Sequence, residues 1–116
     1  MLDRVDHIDM RVADLEVTVA TLKKMGLIEK RRTPEPRSSV EMSLPGENQV
    51  TFEIRPADGG AQGVHHIAFH QTQDSDVEAL KEQGIVFKTE HMTIKATGRT
   101  VSSFDDENGT TWQLTD

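Results

Sequence analysis

The chain has 116 residues, a length that suits one domain around a single hydrophobic core. A formal net charge of −7 argues against a general affinity for nucleic acid or anionic membranes, and the lack of cysteine removes disulfides, thiolate nucleophiles and zinc–sulfur sites. No run of about 18 apolar residues occurs and no basic stretch leads into one, so the expectation is a cytoplasmic protein with no membrane partner; aromatic residues make up 4%, lean for recognition by stacking.

In chain order, "HIDMRV" (7–12) alternates His7, Asp9 and Arg11 with Ile8, Met10 and Val12, the pattern of a half-buried strand. A helix follows, with Asp14 to cap it, Leu15, Val19 and Leu22 at helical spacing, and Gly26 where the chain leaves left-handed. Three extended segments come next, at about 27–33, 38–44 and 49–55, with "PEP" and "LPGEN" as turns. The glycine-rich "PADGGAQG" (56–63) reads as a linker. "VHHIAFH" (64–70) then starts the order again: a strand, a helix opened by the Ser75-x-x-Glu78 capping pattern and closed at Gly84, and strands near 85–91, 98–104 and 110–115.

The second half repeats the first. "VDHI" (5–8) lies over "VHHI" (64–67) at a shift of 59 residues, "LKKMGLIEK" (22–30) over "LKEQGIVFK" (80–88) at 58, and "TFEI" (51–54) over "TWQL" (111–114) at 60. The predicted fold is therefore α+β: two tandem β-α-β-β-β modules, about 1–57 and 63–116, within one domain.

Strand alternation sorts the polar residues. If Ile8, Met10 and Val12 pack on the helix, then His7, Asp9 and Arg11 face the other way. By the same rule His66 and His70 oppose Ile67 and Phe69, with His65 on the helix side. Glu53 opposes Phe52 and Ile54, and Gln113 opposes Trp112 and Leu114. The repeat makes His7 equivalent to His66 and Glu53 equivalent to Gln113. Were the modules related by a pseudo-twofold axis, these four would converge on it, and two imidazoles, a carboxylate and an amide oxygen suit a divalent ion with positions left open. The competing reading of each is a wet strand face. Asp9 is either a carboxylate orienting an imidazole or a surface residue.

"DHIDMRVADLE", "LKKMGL", "VTFEI", "HHIAFH" and "FDDENGTTWQL" together resemble the vicinal oxygen chelate superfamily, which holds glyoxalase I, methylmalonyl-CoA epimerase, fosfomycin-resistance proteins, extradiol dioxygenases and bleomycin-resistance proteins. The resemblance spans essentially the whole chain. It implies paired modules whose curved, mixed eight-stranded sheet surrounds a cavity, a divalent metal between them, and a homodimer. His7, Glu53 and His66 match the family's metal ligands, and the fourth, ordinarily Glu, falls on Gln113. An amide can bind a metal through oxygen but accepts no proton at neutral pH, so the role of base would pass to Glu53 or to hydroxide on the metal. Arg11 matches an arginine that contacts the glutathione moiety in glyoxalase I. The implied activity is that of a metal-dependent lyase or isomerase of glyoxalase type, with one Ni, Co, Zn, Mn or Fe ion and an enediolate-like intermediate. Its candidate substrate contacts are Arg11, Arg99 and His70. The basic segments "RRTPEPR" and "HMTIKATGR" point to a small anionic substrate. The alternative is a small-molecule binding or resistance protein on the same fold that performs no catalysis.

Overall fold

The computed structural model describes residues 1–116. Its elements run β1 (Leu2–Val12), α1 (Leu15–Lys24), β2 (Ile28–Arg32), β3 (Val40–Ser43), β4 (Thr51–Pro56), β5 (Gly63–Gln71), α2 (Ser75–Glu82), β6 (Thr89–Thr93), β7 (Thr100–Asp105) and β8 (Thr111–Thr115). The order β-α-β-β-β thus occurs twice, and the fold is α+β with eight strands in mixed, open sheet. Two compact units divide the chain: His7–His65, here the N-unit, and His66–Asp116 with Met1–Asp6, here the C-unit. The divisions fall inside β1 and β5, while the predicted linker lies wholly within the N-unit.

Each unit has the same ladder. In the N-unit the order is β2-β3-β4-β1, with β1 parallel to β4 and the other pairs antiparallel. In the C-unit it is β5-β8-β7-β6, with β5 parallel to β8. A parallel pair needs a long crossover, and the helix with its two following strands supplies one.

The helix exits close in the same way. Gly26 has φ 99° and Gly84 φ 95°, a region that costs glycine nothing. Leu27 N–H returns to the Leu22 carbonyl at 3.0 Å, and Ile85 N–H to Leu80 at 3.2 Å, which satisfies carbonyls the helix leaves open. The helix starts differ. The Asp14 carboxylate accepts from Val17 N–H at 3.2 Å, as the sequence predicts. The Ser75–Glu78 capping box does not form. The buried Asp76 instead turns its carboxylate back to the N–H groups of Thr72, at 3.0 Å, and Gln73, at 3.4 Å, because an acceptor-only group out of water must find donors.

The N-unit core joins Val19 and Leu27 to Val40, Met42 and Ile54, with Val12, Leu15, Leu22 and Phe52 packed against them. Burial of such side chains contributes about 1.5–3 kcal/mol each. In the C-unit, Val77, Val101 and Leu114 are buried, Phe69 packs on Trp112 with ring centres 6.2 Å apart, and Phe87 meets Phe104 edge-on. With apolar residues turned to the helices, the alternate residues of β1, β3 and β4 carry His7, Asp9, Glu41 and Glu53 to the opposite face. No helix is long and apolar enough to cross a membrane.

Candidate metal centre and its charged row

The N-unit places three buried carboxylates in one line across its sheet. Glu53 on β4 is the ladder partner of Asp9 on β1 and of Glu41 on β3, and Glu41 is the partner of Arg31 on β2. Asp9 and Glu53 are 0% exposed. Isolated carboxylates would not tolerate such burial, and four arginines compensate. Arg31 Nε donates to Glu41 at 2.8 Å, Arg37 Nη2 to Glu53 Oε1 at 2.8 Å and Arg11 Nε to Asp9 at 2.7 Å, with Arg55 Nη1 3.9 Å from Asp9.

Burial pushes the Glu53 carboxyl above its ordinary pKa. Arg37 opposes the rise, the hydrogen bond with Asp9 and the Asp9 charge reinforce it, and His7 opposes it weakly. Two carboxyl groups in hydrogen-bond contact share a proton more readily than they lose both. The result is a carboxylate more basic than a free glutamate, in a site that holds it still.

His7 is buried beside this row, two residues before Asp9 on the same strand face and opposite Thr51. A buried imidazole near a carboxylate that burial makes costly to ionise is a donor set of borderline hardness. Those residues fit a divalent cation, whose charge would offset the same desolvation.

The C-unit repeats the geometry without the charge. His66 is buried and faces Thr111, as His7 faces Thr51. The row equivalent to Arg31–Glu41–Glu53–Asp9 reads Thr89–Ser103–Gln113–Ala68. The Thr89 and Ser103 hydroxyls, 2.6 Å apart, replace the Arg31–Glu41 ion pair. The row of buried carboxylates is thus confined to the N-unit.

The sequence candidates fall as follows. His7 and Glu53 come together in the N-unit, and His66 and Gln113 are both buried in the C-unit. Arg11 sets Nε and Nη2 on Asp9, Arg99 pairs with Asp6 at 3.5 Å, and His70 Nδ1 lies 2.7 Å from Asp3. A substrate contact by any of these three would share or replace such a pair. Asp9 is no surface residue. His65, expected against the helix, is exposed, and its ring offers a nitrogen within 4.8 Å of an Asp9 oxygen. Alternation fixes only the Cα–Cβ direction, and the side-chain torsions decide where imidazole nitrogens go. Two residues were not singled out in the sequence. Glu41 carried a usable signal, lying between Val40 and Met42 in an alternating segment. Arg37 was legible only as one of the basic residues of "RRTPEPR", since a turn has no alternation to place it.

Over residues 4–114 the chain matches the family model described as the Glyoxalase/Bleomycin resistance protein/Dioxygenase superfamily, and it belongs to that superfamily. No curated protein matches the sequence. Among solved structures, a Streptomyces coelicolor methylmalonyl-CoA epimerase in complex with 2-nitronate-propionyl-CoA is 17% identical, with a TM-score of 0.83 over 99% of this chain and 97% of that one. A methylmalonyl-CoA epimerase from Mycobacterium tuberculosis is 18% identical, with a TM-score of 0.81 over 98% of this chain and 87% of that one. A hypothetical protein from Bacillus halodurans is 16% identical, with a TM-score of 0.76 over 97% and 92%. At such identities the likeness establishes the fold.

Proposed function

We propose that the protein is a divalent-metal-dependent isomerase or lyase that removes a proton from carbon beside a carbonyl of a small anionic substrate. The observation that carries this reading is Glu53: a fully buried carboxylate, made more basic by burial and by Asp9, next to a buried imidazole. A general base works best when its pKa approaches the operating pH, and burial moves Glu53 that way.

His7 and Glu53 are the first pair of proposed ligands. His66 and Gln113, their equivalents in the repeat, are the second. When bound, a cation of the Ni, Co, Zn, Mn or Fe type supplies Lewis acidity that lowers the cost of an enolate or enediolate. The chain does the rest. Glu53 takes the proton, and Asp9 supplies a neighbouring carboxyl with which that proton can be shared. Arg11 and Arg55 hold Asp9 in place. Gln113 accepts no proton, so the basic work falls to the N-unit. Arg11, Arg99 and His70 are the proposed substrate contacts within reach of their present partners.

The epimerases among the structural neighbours act on a CoA thioester, and proton transfer beside a carbonyl is common to that reaction and to glyoxalase chemistry. The test is therefore a pair of assays on cobalt-loaded protein. One follows the methylglyoxal–glutathione hemithioacetal, and the other follows solvent deuterium entering C2 of methylmalonyl-CoA. The proposal expects turnover in one of them, dependent on metal and reduced about 100-fold or more in Glu53→Gln. Turnover unaffected by that substitution would remove Glu53 as the base. Tight binding of either compound with no exchange at all would favour a binding protein.

A further inference from the structure

One arginine of the N-unit stands outside its strands and still reaches the buried row. Arg37 stands in the turn between β2 and β3, which is tightly closed: Ser38 N–H bonds to the Pro34 carbonyl at 3.0 Å, Thr33 N–H to Ser39 at 2.9 Å, and the Thr33 and Ser39 hydroxyls meet at 2.7 Å. A guanidinium on such a turn is held ready rather than searching. Its side chain is 19% exposed; Nη2 donates to Glu53 Oε1, while Nε is buried and meets no acceptor from the protein.

Arg37 Nε is the one buried side-chain nitrogen or oxygen in this chain that meets no partner. A guanidinium presents Nε–H and Nη2–H as a parallel fork that matches a carboxylate. Arg11 sets both nitrogens on Asp9, at 2.7 and 3.5 Å; Arg31 sets both on Glu41, at 2.8 and 2.6 Å; Arg32 sets both on Glu29, at 2.9 and 3.0 Å. Arg37 spends one nitrogen and leaves the other inside the protein. A buried donor without an acceptor is costly and calls for a reason. The repeat sharpens the contrast. The corresponding turn of the C-unit is closed by Gly98 N–H to the Ile94 carbonyl at 2.7 Å and carries Arg99, whose Nε lies 3.5 Å from Asp6. Only in the N-unit does the turn's guanidinium meet a carboxylate of the buried row.

We infer that Arg37 selects the substrate by its charge, its Nε–Nη2 fork taking a carboxylate that lies one or two bonds from the carbon Glu53 deprotonates. The spacing follows from the 2.8 Å between Nη2 and Glu53 Oε1, which puts any anion on the fork beside the base. The inference rests on the proposed function for the word substrate, but its test does not need the metal or turnover.

The test uses the whole, chelator-treated protein labelled with nitrogen-15, and the probe is malonate. The Arg37 Nε–H signal, identified by its loss in Arg37→Lys, is expected to shift saturably with malonate but not with neutral malonamide or with sodium chloride at equal ionic strength. Calorimetry is expected to find malonate bound about tenfold or more weakly by Arg37→Lys, which keeps the charge and loses the fork, and by Arg37→Gln. An Arg37 signal that malonate leaves in place, an equal response to chloride, or full affinity in Arg37→Lys would overturn the assignment. A metal-binding protein whose Arg37 ignores malonate would lose this inference and keep the proposed function. Malonate binding on the Arg37 fork in a protein that takes up no metal would do the reverse.

Discussion

Asp9 and Glu53 stand opposite each other on the parallel β1–β4 ladder, both fully buried, and Asp9 helps to hold the Glu53 carboxyl above its ordinary pKa. In a structural ion pair one of the two would be a cation. Here the cations sit at the outer ends, Arg11 on Asp9 and Arg37 on Glu53, and the inner contact is acid against acid. That arrangement sacrifices stability in exchange for a proton-accepting group.

The cost should be visible in the pH dependence of folding. The Glu53 pKa is raised above its ordinary value of 4.5 in the native state, so in the window above 4.5 the native protein binds more protons than the unfolded chain. Its stability contribution is complete below the unfolded pKa and is lost as pH rises through the folded one. Glutamine at 53 has no such dependence. In metal-free protein, the Tm of Glu53→Gln minus that of the wild type is therefore expected to increase from pH 5 to pH 8. A flat or falling difference would mean that Glu53 is not destabilised by burial.

The single tryptophan reports on the β7–β8 hairpin. Trp112 Nε1 donates to Asp106 at 3.0 Å, and that bond, with those from Thr110 and Asn108 N–H, holds the Asp106 carboxyl below the usual aspartate range. An acid titration of Trp112 emission is expected to have its local midpoint below the ordinary aspartate value of 3.8, and to lose that transition in Asp106→Asn. A midpoint at or above 3.8 would contradict the contact.

Substitution at the helix starts separates a made cap from an unmade one. Asp14→Ala removes the acceptor for Val17 N–H and is expected to cost about 1 kcal/mol, whereas Ser75→Ala should stay within about 0.5 kcal/mol. Ile54→Ala, in the middle of the N-unit core, should cost about 2–5 kcal/mol. Urea titrations of the three variants give the comparison, and equal losses at Asp14 and Ser75 would contradict the capping described for α2.

Period-two and period-3.6 patterns in the sequence carried most of the fold, because each strand has one apolar face and each helix one apolar stripe. The repeated glycines at 26 and 84 were legible for a simple reason: only one backbone conformation ends these helices as they end. The site was half legible. His7 and Glu53 followed from alternation and the internal repeat. The charged row did not, because ladder register decides that Asp9 meets Glu53 and that Glu41 joins them, and register is a long-range property no local pattern contains. Arg37 was legible only as part of a basic segment, because a turn has no alternation to place it. Ser75 misled because the capping pattern describes what a serine can do, while the next residue, Asp76, accepts from Thr72 and Gln73 ahead of the helix and no side chain caps it.

The proposed function rests on His7 and His66 both being metal ligands. Elemental analysis of protein purified after loading with cobalt or nickel, for wild type, His7→Ala and His66→Ala, tests it most directly. About one ion per chain is expected in the wild type and a large loss in each variant, with circular dichroism unchanged. Stoichiometric metal in both variants, or none in the loaded wild type, would contradict it.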